Sequence, residues 1–119
     1  MIMKSVFIAG SRKFFEEIDQ LVRLLKQNGI VVATAEKQKD DQENERAALF
    51  RAFQRIDKAD IVYVLAKGGY IGNTVAMEIA YAHAKNKEII SSEPIAEQSA
   101  IALVSSIMKP EKFVEHCLG

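Results

Sequence analysis

Short apolar runs alternate along the chain with longer amphipathic stretches. Val6, Phe7, Ile8 and Ala9 form a continuous apolar run ending at Gly10, the pattern of a strand covered by helices on both faces. A helical period follows, with Ile18, Leu21, Val22 and Leu25 at i, i+3, i+4 and i+7. Asn28 and Gly29 supply a stop, because glycine accepts the left-handed conformation that ends helices. Residues 30–33 read as a second strand. Residues 47–56 read as a helix with Leu49, Phe53 and Ile56 on one face, and 61–65 as a third buried strand rich in β-branched side chains. A helix capped by Asn73 or Thr74 runs to about Lys85, and 88–90 form a fourth strand. Further on, 96–103 has a helical pattern and 105–108 suits a short fifth strand. Pro110 fits the first turn of a last helix.

This alternation predicts an α/β fold: a doubly wound, flavodoxin-like, mostly parallel sheet of four or five strands flanked by helices. Right-handed crossovers leave few topologies, and the expected one places strands one and three side by side at the centre. The length of 119 residues suits one domain over 1–119. The polar segment 36–45, with Lys39, Asp40 and Asp41, reads as a solvated loop running into a helix.

Charge narrows the function classes. Sixteen basic residues balance sixteen acidic ones, so the net basic footprint of a nucleic-acid binder is missing. The apolar run before Ser11 is too short to span a membrane and lacks a small-residue cleavage pattern. A first strand, no membrane partner and a cytoplasmic protein are the expectations. Cys117 is the only cysteine, which excludes an intramolecular disulfide, and no Cys/His cluster has metal-ligand spacing. Neither a metal nor a cofactor is expected.

In such sheets ligands bind outside the carboxyl ends of the strands, where strand order reverses. Two loops would flank that crevice: Gly10, Ser11 and Arg12 after the first strand, and residues 68–74 after the third, with Gly69, Tyr70, Gly72, Asn73 and Thr74. Both lead into helix amino termini, whose unpaired N–H groups suit an anion or polar sugar oxygens. The first loop lacks both GxGxxG spacing and the GK[ST] ending of a Walker loop, and a plain strand-to-helix turn is its alternative reading. Arg12 is either a two-pronged phosphate ligand or a solvated first-turn side chain.

Glu78 is the most informative residue. It stands in a helix otherwise short of charge, with Thr74, Val75, Tyr81 and Ala82 one turn away. A carboxylate on an apolar face is costly unless partnered or used. Helical side chains tilt toward the amino terminus, here toward the crevice. Glu78 is therefore either a nucleophile or general base, or an edge residue bonded to its own first turn or to a loop. Tyr70 and Tyr81 either stack on a base or pack. His83 lies about 140° round the helix from Glu78 and makes no dyad with it. Asp57 and Asp60 suit turn or capping roles at the start of strand three.

The stretch from Ala59 to Val64, followed by residues 72–87 with Ala76, Met77, Glu78, Ile79, Ala80, Tyr81 and Ala82, resembles the nucleoside 2-deoxyribosyltransferase family, which includes nucleoside 5′-monophosphate N-glycosidases. Phe7 to Ser11 is similar to the family's first strand and loop. The resemblance implies a nucleoside or nucleotide as small-molecule partner, and Glu78 as the nucleophile that attacks C1′ of the sugar with retention of configuration. It also implies a homo-oligomer, a dimer or larger. Two places depart: Ala52 stands where the family carries an aspartate, and Gly72 and Asn73 stand where a polar residue, often Asp or Ser, precedes the family's glutamate helix. The first departure motivates an alternative, a nucleotide-binding module with reduced chemistry. Residues 68–74 with Glu78 also resemble a stretched form of the GG-x-G-T-x-x-E motif of lysine-decarboxylase-like phosphoribohydrolases.

Overall fold

The computed structural model describes residues 4–35 and 44–119. The polar segment with Lys39, Asp40 and Asp41 lies outside the described residues. Five strands, β1 (Val6–Gly10), β2 (Val32–Thr34), β3 (Ile61–Leu65), β4 (Glu88–Ser91) and β5 (Ser106–Ile107), form one sheet in the order β2-β1-β3-β4-β5. Every pairing is parallel. The predicted neighbours β1 and β3 pair along their whole length, from Val6 opposite Ile61 to Gly10 opposite Leu65.

Side-chain alternation splits the central strands between two cores. Phe7, Ala9, Val62, Val64 and Ile89 pack on α2 (Glu45–Lys58), α3 (Asn73–Ala84) and the short α4 (Gln98–Ile101). Val6, Ile8, Ile61, Tyr63 and Ile90 pack on α1 (Phe15–Gln27) and α5 (Pro110–Leu118). Helices on both faces explain why β1 and β3 are apolar without interruption. Pro110 occupies the first turn of α5 as expected.

Several boundaries differ from the sequence reading, two of them because a backbone group is already committed. The second strand begins at Val32 and not at residue 30. Gly29 takes a φ of 74°, its N–H donates to Lys26 O, and the Ile30 N–H donates to Leu25 O. Ile30 thus closes the end of α1 and buries its side chain there. The helix expected over 96–103 shrinks to Gln98–Ile101, because the Ala96 N–H donates to Gly69 O and Glu97 caps the helix through the Ala100 N–H. Finally, α3 has Gly72 as its N-cap, in extended backbone, with Asn73 as its first helical residue. Neither Asn73 nor Thr74 caps it.

The glycines of the second loop have separate tasks. Gly69 has a φ of +84°, and a Cβ there would stand 2.8 Å from Pro94 O and 3.3 Å from Ala96 N. Replacing it by alanine forces both left-handed strain and a backbone clash, with an expected cost of about 2 kcal/mol. Gly72 has an ordinary φ of −87° and open space around its missing Cβ. Gly72→Ala is expected to cost about 1 kcal/mol or less. Urea unfolding midpoints of the two variants check this ordering, which equal losses would contradict.

Candidate active site

The loops after β1 and β3 meet at the carboxyl edge of the sheet, as predicted. Ser11 accepts from the Lys13 N–H at 3.4 Å and opens a single 3-10 turn over Arg12–Phe14. Arg12 is exposed there. In the second loop Gly68 and Gly69 take left-handed backbone, and the loop is tied down by Ala96 N–H to Gly69 O at 2.9 Å. Contact between the loops runs through Phe14 and Tyr70, whose rings meet edge-on with centroids 6.2 Å apart. Gly10 serves packing: a Cβ would lie 3.1 Å from Ile18 Cδ1 and 3.2 Å from Leu65 O. That glycine lets α1 and β3 approach β1.

The start of α3 carries no side-chain cap and no acidic residue in its first turn. Its first N–H groups therefore point to the carboxyl edge as a site of partial positive charge. Asn73 and Thr74 are exposed beside them. Open space at Gly72 leaves this backbone approachable.

Glu78 lies in the second turn of α3, in the buried row Val75, Glu78, Ile79 and Ala82 that faces the sheet. It is 2% exposed, and its Oε2 has no hydrogen-bond partner among the described residues. Among the described residues Oε2 makes no bond to the helix's own first turn or to a loop. Burial pushes the Glu78 carboxyl up to about 7, because an apolar surround penalises the charged form. On the same face the central strands end in small residues, Ala9 on β1 and Ala66 just after β3. Ala52 of α2 is buried in that core too, so α2 brings no acid into it at that position.

Other candidates have structural partners. Tyr81 stacks on Phe53 with centroids 4.1 Å apart and planes 5° off parallel, and its hydroxyl donates to Asp57 Oδ1 at 2.7 Å. Both rings therefore join α2 to α3. Asp60 accepts from the Ser5 N–H at 2.8 Å and anchors the start of β1. His83 is exposed and Cys117 is buried; burial pushes the Cys117 thiol up to about 11, which keeps it protonated.

Two supporting residues escaped the sequence reading. Ser92, just after β4, accepts from the Ala66 N–H at 2.9 Å, and Glu93 accepts from the Gly68 N–H at 3.3 Å. Both hold the second loop from a strand 25 residues or more away, a distance no local motif reports. A cavity of about 280 Å³ opens at the same sheet edge but on the α1 and α5 side, lined by Leu21, Leu65, Lys67, Ser92, Glu93 and Pro110 among others. None of the residues predicted for the site lines it. Among the described residues no group of three or more His, Cys, Asp or Glu is placed to hold a metal ion. No helix among them is long and apolar enough to cross a membrane.

No protein-family profile matches the sequence, and no curated protein matches it. Solved structures do. A conserved protein from Enterococcus faecalis V583 is similar with a TM-score of 0.75 and 17% identity over 98% of each chain. A 2-deoxyribosyltransferase from the psychrotolerant bacterium Bacillus psychrosaccharolyticus is similar with a TM-score of 0.69 and 13% identity, over 92% of this chain and 90% of that one. The corresponding enzyme from Leishmania mexicana gives 0.56 and 19%, over 76% of this chain and 65% of that one. The resemblance carried by the Glu78 helix thus extends to the architecture, and the chain has the nucleoside 2-deoxyribosyltransferase-like α/β fold over nearly its whole length.

Proposed function

We propose that the protein cleaves or exchanges the N-glycosidic bond of a nucleoside or nucleotide, with Glu78 as nucleophile. The observation that carries this reading is a buried carboxyl whose Oε2 has no hydrogen-bond partner among the described residues, one turn inside a helix start that lacks a side-chain cap at the sheet's carboxyl edge. A carboxylate oxygen of Glu78 would form a bond to C1′ while the C1′–N bond breaks. The bonding pair leaves with the base, which takes up a proton from solvent water; the water or base that attacks in the next step returns one proton to solvent. Water or a second base then attacks C1′, the ester bond to Glu78 breaks, and configuration is retained overall. The first step needs the ionised carboxylate. An apolar surround strengthens its attraction for the positive charge that develops on the sugar ring.

Ser11, Arg12, Asn73 and Thr74, with the backbone of Gly10, Gly69 and Gly72, are the proposed substrate contacts, together with Tyr70. Arg12 would matter more for a 5′-phosphate than for a free nucleoside. A homo-oligomer belongs to the same proposal, and exposed Phe50 on α2 and Met77 on α3 supply apolar surface for it.

Base release from a panel of nucleosides and their 5′-monophosphates, with and without a second base as acceptor, tests the reading. Release from at least one member is expected. The second reading, a nucleotide-binding module without chemistry, is favoured by Ala52 in the apolar core where an acid would assist. Binding without release across the whole panel would select it.

A further inference from the structure

The contact between the two crevice loops has an unusual composition. The Tyr70 ring meets buried Phe14 edge-on at an interplanar angle of 84°, and Lys13 Nζ stands 3.5 Å from the Tyr70 ring centroid. The backbone under the ring is fixed by Gly69 N–H to Ala66 O, Tyr70 N–H to Lys67 O and Ala96 N–H to Gly69 O. Yet Tyr70 itself remains 45% exposed. Its two fellow tyrosines are spent: Tyr63 is fully buried against Phe113, and Tyr81 stacks on Phe53. A seated, half-exposed aromatic ring at the ligand edge thus carries a flexible, exposed ammonium on one face.

We propose that Tyr70 is the stacking platform for the heteroaromatic base of the ligand, and that Lys13 covers this platform only while the site is empty. The inference rests on the nucleoside reading above and adds the residues that select for an aromatic ring. Magnitudes favour the exchange. A cation over an exposed ring holds it by roughly 2- to 5-fold in equilibrium constant. A base stacked on an aromatic side chain is worth roughly 5- to 150-fold. The base therefore displaces the lysine, and the lysine acts as a weak competitor for the ring.

This competition predicts an inversion that a substrate-gripping lysine would not give. For an uncharged nucleoside, Lys13→Met tightens binding by about 2- to 5-fold. Tyr70→Leu weakens it by about 5- to 150-fold, and Tyr70→Phe, which keeps the ring, leaves it within about 2-fold. Calorimetric titration of wild type and the three variants with the common ribonucleosides and 2′-deoxyribonucleosides measures this, with base release followed in the same samples. Weaker binding by Lys13→Met, or unchanged binding by Tyr70→Leu, overturns the platform. Release by wild type beside an unchanged Tyr70→Leu affinity keeps the reaction and removes the platform. The expected affinity pattern without release keeps the platform and removes the reaction. Absence of binding by both wild type and Lys13→Met overturns both. Should Tyr70→Leu fail to fold, Lys13→Met and Tyr70→Phe carry the test.

Discussion

Glu78→Gln is expected to lower base release by on the order of 10³-fold or more, equivalent to about 4 kcal/mol of lost transition-state stabilisation. Glutamine preserves size and hydrogen-bonding shape but cannot form the ester to C1′, so nucleoside affinity should change far less than turnover. The residue suits so large an effect because its Oε2 bonds to nothing among the described residues. Acidity gives a second signature. A carboxyl pushed up to about 7 is only half ionised at neutral pH, and the nucleophile is the ionised form. The rate for wild type should therefore rise with pH and level off above about 7. A flat profile from pH 5 to 8, or a variant as active as wild type, would remove Glu78 from the reaction.

The same carboxyl should leave its mark on stability. Its proton is held more tightly in the folded chain, up to about 7, than at the ordinary carboxylic value of 4.5. Between those values the folded state binds more protons than the unfolded one, so stability falls as pH rises. The contribution is complete below about 4.5 and is lost as pH passes through about 7. The interval corresponds to about 3 kcal/mol. Glu78→Gln lacks this titration. Its stability relative to wild type should improve by about 3 kcal/mol between pH 4 and pH 8, whatever the amide itself costs. Urea unfolding at both pH values gives that difference, and a pH-independent offset would show that Glu78 is solvated or partnered. A destabilised ionised form is the expected price of a carboxylate kept for chemistry rather than for holding the fold.

Much of the architecture was legible because it is local. Buried parallel strands must be apolar on both faces, so β1 and β3 announced themselves in Val6 to Ala9 and in Ile61 to Leu65. The period of α1 and the glycine after it marked that helix and its end. Right-handed crossovers then left few strand orders, among them the observed one with β1 beside β3. Element ends were less legible. Ile30 and Ala96 have strand-like and helix-like neighbours, but their N–H groups were claimed by Leu25 O and Gly69 O.

Candidate site residues divide along the same line. Glu78 stood out in sequence because one charge sits in a helix of apolar and small residues, and that helix would have to face a sheet. The two tyrosines could not be told apart by such a criterion. Tyr81 finds Phe53 and Asp57 on a helix far from it in sequence, while among the described residues Tyr70 finds an edge contact and a lysine. Local period and turn chemistry are properties of neighbouring residues, so they specify which segments become strands and helices. Which N–H a distant carbonyl claims, which ring is covered and which carboxyl is left without a partner depend on groups that meet only when the sheet closes. Those contacts, between residues tens of positions apart, shape the candidate site.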